Sequence, residues 1–109
     1  MARVVAVVPD LMFASRVEAT LAAAGHEVEL ASSPRAADFG AADLVIVDLG
    51  EIDPGSLADS AAPVLGFYSH VDVETRERAE SAGVDLVVPR SRMAREMPAL
   101  LDSLLSRSG

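Results

Sequence analysis

The chain has 109 residues, half of them apolar, no cysteine and a formal net charge of −8. That length predicts one compact domain, and the hydrophobicity excludes a disordered chain. The negative balance excludes nucleic acid, whose phosphates would be repelled, and the missing cysteines exclude disulfide and thiolate chemistry and favour the cytoplasm.

The opening MARVVAVVPD has five apolar residues in a row, 4–8, before Pro9. That is too short for a signal peptide or a membrane span and reads as a first strand. Asp10 then stands ahead of a stripe of Phe13, Val17, Leu21 and Ala24 at helical spacing, with Gly25 as its C-terminal cap. A second strand is expected at 28–31. After Ser33, SSPRAADFGAA allows roughly two helical turns. The run 44–47 is an unbroken third strand ending at Asp48, and GEIDPGSLADSAA beyond it allows a short helix at best. A fourth strand is expected at 64–67. Asp72 precedes VETRERAESAG, a polar fourth helix with Val71, Ala79 and Ala82 inward and Gly83 at its end. A fifth strand falls at 86–88. The last helix carries Met93, Met97, Leu100, Leu101, Leu104 and Leu105. Pro98 inside that pattern predicts a start or kink near Met97. Residues 105–109 are expected to fray as a tail to the single domain 1–109.

Valine-rich, non-alternating runs are how strands read when both faces are covered. Strands alternating with helices predict an α/β fold: a three-layer α/β/α sandwich around a five-stranded parallel sheet. The expected strand order is 2-1-3-4-5, flavodoxin-like, with shortened second and third helices.

Ligands of such a sheet bind beyond the carboxyl ends of its strands. Those ends are Pro9-Asp10, Asp48, Tyr68-Ser69-His70 and Pro89-Arg90-Ser91. Asp10 and Asp48 with water suit Mg²⁺, which takes hard oxygen ligands, and Arg90 with a hydroxyl suits a phosphoryl oxygen. Each residue also has a plain structural reading. Asp10 and Asp72 are of the type that caps helices, Asp48 of the type that starts turns, and His70 fits a surface loop. Arg90 fits a pairing with Asp48 or Asp10. PDLMFAS has none of the glycines of a dinucleotide or P-loop site, and no serine sits in a nucleophile elbow. His26 and His70, without cysteine, make no zinc site.

Four segments together resemble a response-regulator receiver domain, CheY-like, over essentially the whole chain. ARVVAVVPD is similar to that family's first strand and acidic pair. DLVIVDLG resembles the strand ending in the phospho-accepting aspartate, which falls on Asp48. PVLGFYSH resembles the fourth strand with its switch hydroxyl, and AGVDLVVPRS the segment that ends in Lys-Pro. The resemblance implies Asp10 and Asp48 on a Mg²⁺ ion, Asp48 as acceptor, Ser69 or Tyr68 as switch hydroxyl, and Arg90 as phosphoryl clamp. The departures are an acidic pair reduced to Pro9-Asp10, Arg90 for Lys, Ser91 for Pro, and Val87 at the aromatic position. Counted back from Gly25, the pair falls on Val8-Pro9 instead; spacing from Gly83 puts the hydroxyl on Tyr68. Arginine is a planar fork where lysine is a point charge, so that exchange is not neutral.

Three functions follow. The first is an atypical pseudo-receiver, a stand-alone interaction module with an incomplete phosphorylation site. It would be a monomer or weak homodimer, would not be an enzyme, and would bind a regulatory protein through its fourth helix, fifth strand and fifth helix. With no output domain, it would act through that partner. The second is a working phospho-acceptor with an altered metal site. The third is a small ligand-binding protein or enzyme that uses His70, Asp72 and Arg90 on the rim.

Overall fold

The apolar runs become five strands: β1 (Arg3–Val7), β2 (Glu27–Ala31), β3 (Leu44–Asp48), β4 (Val64–Tyr68) and β5 (Leu86–Pro89). All pair in parallel, in the expected order β2-β1-β3-β4-β5. The computed structural model describes residues 2–57, 61–69 and 73–108. His70, Val71 and Asp72, three of the residues singled out in the sequence, lie outside them.

Burial along the strands explains their composition. Residues of β3 are buried throughout, and so are Val4–Val7 of β1 and Val64–Phe67 of β4. These three strands are central and covered on both faces, which is why they read as unbroken apolar runs. The outer strands β2 and β5 are only partly buried.

The pleat sends alternate residues to two cores. Val4, Ala6, Leu44, Ile46, Leu65, Phe67 and Val88 face α1 (Leu11–Ala23) and α3 (Arg90–Ser108). Val5, Val7, Val45, Val47 and Val64 face the other layer. There α2 (Val73–Ser81) contributes Ala79, and the loops contribute Leu49, Ile52 and Leu57. Registered neighbours such as Ile46 and Leu65, or Phe67 and Val88, stack side by side on the first face.

The helices follow their patterns with three local differences. Phe13, Val17 and Leu21 are buried as expected, joined by Ala14, while Ala24 is the exposed C-cap. Gly25 and Gly83 close α1 and α2 at φ +92°, the left-handed conformation that glycine takes without a Cβ penalty. On α2, Ala79 is buried but Ala82 is exposed, because α2 ends at Ser81. In α3, Met93, Met97, Leu100, Leu101 and Leu104 are buried and Leu105 is half-buried. The expected kink is present: Glu96 leaves helical geometry (φ −121°, ψ 18°) two residues before Pro98, and the helix then runs to Ser108.

The second and third helices are short, as expected, each a 3₁₀ turn, Pro34–Ala36 and Pro54–Leu57, and the second falls short of the two turns its segment allows. Ser33 makes no capping hydrogen bond, and Ala37 is already extended. Glu29 accepts from the Asp38 N–H, and Asp38 in turn from the Gly40 N–H. Those bonds hold the chain open where a helix would otherwise continue.

Candidate functional site

Topology brings five of the residues expected at the strand ends to one concavity. A pocket of about 290 Å³ at the carboxyl end of the sheet is lined by Pro9, Asp10, Asp48, Ser69 and Arg90, together with Gly50 and Glu51. Tyr68 ends β4 beside it, half-buried, and does not line it. Of the two hydroxyls left open by the sequence spacing, Ser69 is therefore the one that faces the site.

Asp10 serves two structures at once. It is the N-cap of α1, and its Oδ1 accepts from the backbone N–H groups of Met12 at 3.0 Å and Phe13 at 3.3 Å. Its Oδ2 accepts from an Arg90 Nη at 2.8 Å. The guanidinium, followed by the cap, holds the Asp10 carboxyl below its ordinary value. The choice left open for Arg90 thus falls on Asp10 rather than Asp48.

Asp48 sits differently. It is the last residue of β3 and the one buried charged side chain among the described residues, 4 % exposed. Its Oδ1 accepts from the Gly50 N–H at 3.0 Å, and its backbone carbonyl accepts from Glu51 and Ile52. Asp48 is therefore both a turn former and a rim residue. Burial pushes its carboxyl above the ordinary value. The Gly50 N–H and the Arg90 charge oppose that rise, and the negative charges of Glu51 and Asp10 add to it.

Arg90 begins α3 directly after β5. Its Cζ lies 4.3 Å from the centre of the Phe13 ring and 5.8 Å from that of Phe67, within cation–π range. The two rings meet at 4.9 Å, tilted by 52°. On the outer side of Arg90 a second, shallower groove of about 560 Å³ runs between the starts of α1 and α3, with Met12, Phe13, Arg16 and Ala94 in its walls.

The two carboxylates expected to hold Mg²⁺, Asp10 and Asp48, already have protein partners. Among the described residues no three acidic or histidine side chains form a metal-holding group. Asp10 has one oxygen on the helix cap and the other on a guanidinium, and Asp48 has one on a backbone N–H. Mg²⁺ wants near-octahedral oxygen ligands, and a fixed cation already holds one of the two carboxylates. What the arrangement does well is hold one arginine in place and shelter one carboxylate.

Several features of the site were not anticipated from the sequence. Glu51 joins the pocket, although only its place two residues beyond the Leu49 turn could have suggested it. Phe13 and Phe67 form the platform under Arg90, which pattern alone does not reveal. Gly66 in β4 leaves room for Leu49, since a Cβ there would lie 2.7 Å from a Leu49 methyl. A glycine inside a strand is the available signal for such a close approach.

No known protein family and no curated protein matches the sequence. Solved structures do match its fold. A CheY-like response-regulator receiver domain from Methanospirillum hungatei superposes with a TM-score of 0.86 at 17% identity, covering 98% of this chain and 95% of that one. The non-phosphorylated HemR receiver domain from Leptospira biflexa gives 0.81 at 20% identity, covering 97% and 95%. NtrX from Brucella abortus, in complex with ADP, gives 0.85 at 20% identity over 98% of this chain, which spans only 27% of NtrX. The chain has the receiver-domain fold.

Proposed function

We propose that the chain is an atypical receiver-like module of two-component signalling, acting in the cytoplasm by binding a regulatory protein through α2, β5 and α3. It works as a monomer or weak homodimer and is not an enzyme, and its phosphorylation site is incomplete. The observation that carries this reading is the state of the rim. The only basic residue lining the pocket among the described residues is committed to Asp10 and stacked on Phe13. Asp48, which the resemblance makes the acceptor, is buried, and burial raises its carboxyl above the ordinary value. An acceptor must be ionised to attack phosphorus, and positive charge must be free to receive the transferred oxygens. The guanidinium is already paired with Asp10 and is not free to meet the second requirement.

The working-acceptor reading draws on one observation: Asp48, Ser69, Asp10 and Arg90 line a single pocket. Binding separates the two readings. The protein partner that co-purifies from the source cells is titrated with the wild type, with Asp48→Glu and Arg90→Ala, and with charge reversals at exposed Glu77 of α2 and Arg95 of α3. The expected result is binding without any phosphodonor, weakened at least several-fold by the helix variants and little changed by Asp48→Glu. Binding that appears only after phosphodonor treatment, or strong activation by Asp48→Glu, would overturn the proposal.

A further inference from the structure

Arg90 is restrained from several sides. Its Nη donates to Asp10 at 2.8 Å, its plane lies against Phe13 and near Phe67, and its Nε is sealed from solvent without an oxygen acceptor. The backbone adds to this. Arg90 is the first residue of α3 and Asp10 the cap of α1, so the ion pair ties together the starts of two helices 80 residues apart in the chain.

A cation at this point has a definite electrostatic task. The pocket gathers Asp10, Asp48 and Glu51, of which Asp48 is buried and the other two are exposed, and the negative charges of Glu51 and Asp10 act against the charge of the buried one. We infer that Arg90 is the built-in counter-cation of the rim, its guanidinium standing where a divalent ion would otherwise neutralise the carboxylates, so that the site is independent of Mg²⁺ and held in one state. The inference rests on the receiver-like reading, which alone gives the rim a cation to replace. Arginine suits the role physically. It stays charged at any ordinary pH, is weakly hydrated, and stacks on aromatic faces. Mg²⁺ must instead be recruited from solution and gives up its water reluctantly. A tethered charge cannot dissociate when cation concentration falls, and it leaves no coordination position open for a phosphodonor.

The test is a Mg²⁺ titration followed by amide NMR on the wild type and on Arg90→Met, which keeps an apolar stem beside Phe13 and removes the charge. In the wild type the amides of Asp10, Asp48 and Gly50 should stay in place through millimolar Mg²⁺. In Arg90→Met they should move along a saturable curve, and adding Asp48→Asn should abolish that response. Saturable binding to the wild type overturns the inference. So does a folded Arg90→Met protein that remains blind to Mg²⁺. If Arg90→Met does not fold, the Arg90 Nε–Hε signal decides. It should exchange slowly with water in the wild type and quickly in Asp10→Asn, which keeps a capping oxygen; fast exchange in the wild type overturns the inference. Phosphorylation of a Mg²⁺-blind wild type would sink the proposed function and leave this inference standing, whereas Mg²⁺ binding without phosphorylation would do the reverse.

Discussion

Asp10 and Asp48 are the same residue type at the ends of adjacent strands, yet their surroundings push them in opposite directions. Asp10 gains a guanidinium and two backbone donors and is held low. Asp48 gains one backbone donor but loses its water and is pushed high. The consequences for stability have opposite signs. A carboxyl held low stabilises the fold above its unfolded value, and that support is lost as pH falls through its folded value. A carboxyl pushed high costs stability progressively as pH rises from its unfolded value, and in full above its folded value, because ionisation is easier in the unfolded chain. Asp48→Asn should therefore raise the melting temperature at neutral pH, since asparagine can still accept from the Gly50 N–H without carrying a buried charge. The gain should shrink as pH falls through the raised Asp48 value and vanish below the ordinary value of 3.8. Thermal melts of both proteins across acid to neutral pH measure it. A variant less stable than the wild type at neutral pH would mean that the Asp48 charge is a net support. At this scale the sequence already named Asp10, Asp48, Ser69 and Arg90, which line one pocket, but not Glu51, which joins them. It left open which carboxylate Arg90 would choose, because that depends on Phe13 and Phe67, 54 positions apart in the chain and joined only by the fold.

Among the elements, α1 illustrates how a short pattern determines packing. Asp10 starts it, Phe13, Val17 and Leu21 bury one stripe, and Gly25 ends it. Leu21 and Val47 are both fully buried, on opposite sides of the sheet. Leu21→Ala should cost about 2–4 kcal/mol through lost burial and a cavity, and Val47→Ala less. For a domain of this size the leucine change corresponds to a fall of roughly 10 °C or more in melting temperature. An unshifted melt for Leu21→Ala would put the stripe on the wrong face. All five strands, α1, α2 and α3 with its kink were legible because their signals are local: valine runs, helical spacing, a terminal glycine, an internal proline. The segment after Ser33 was not. Its alanines favour helix, but the Glu29 carboxylate takes the Asp38 N–H from nine residues away, and a contact of that kind outweighs local propensity. The same limit hid Leu49 lying over Gly66, which settles the backbone just beyond Asp48.

At the scale of the whole molecule, a receiver-domain fold carries a rim whose one cation among the described residues is already paired with Asp10. Both layers of the sandwich are filled, the sheet carries five parallel strands, and no helix among the described residues is long and apolar enough to cross a membrane. Asp48 ends β3 at the carboxyl edge of the sheet and is buried there, while the nearby guanidinium is held by Asp10. The central claim is that this rim does not carry out phosphotransfer. It is tested most directly by incubating the protein with Mg²⁺ and a small acyl phosphate and recording intact mass, with Asp48→Asn as the control. The account predicts no phosphoryl adduct beyond that of the control; a near-stoichiometric adduct that disappears in Asp48→Asn would contradict it.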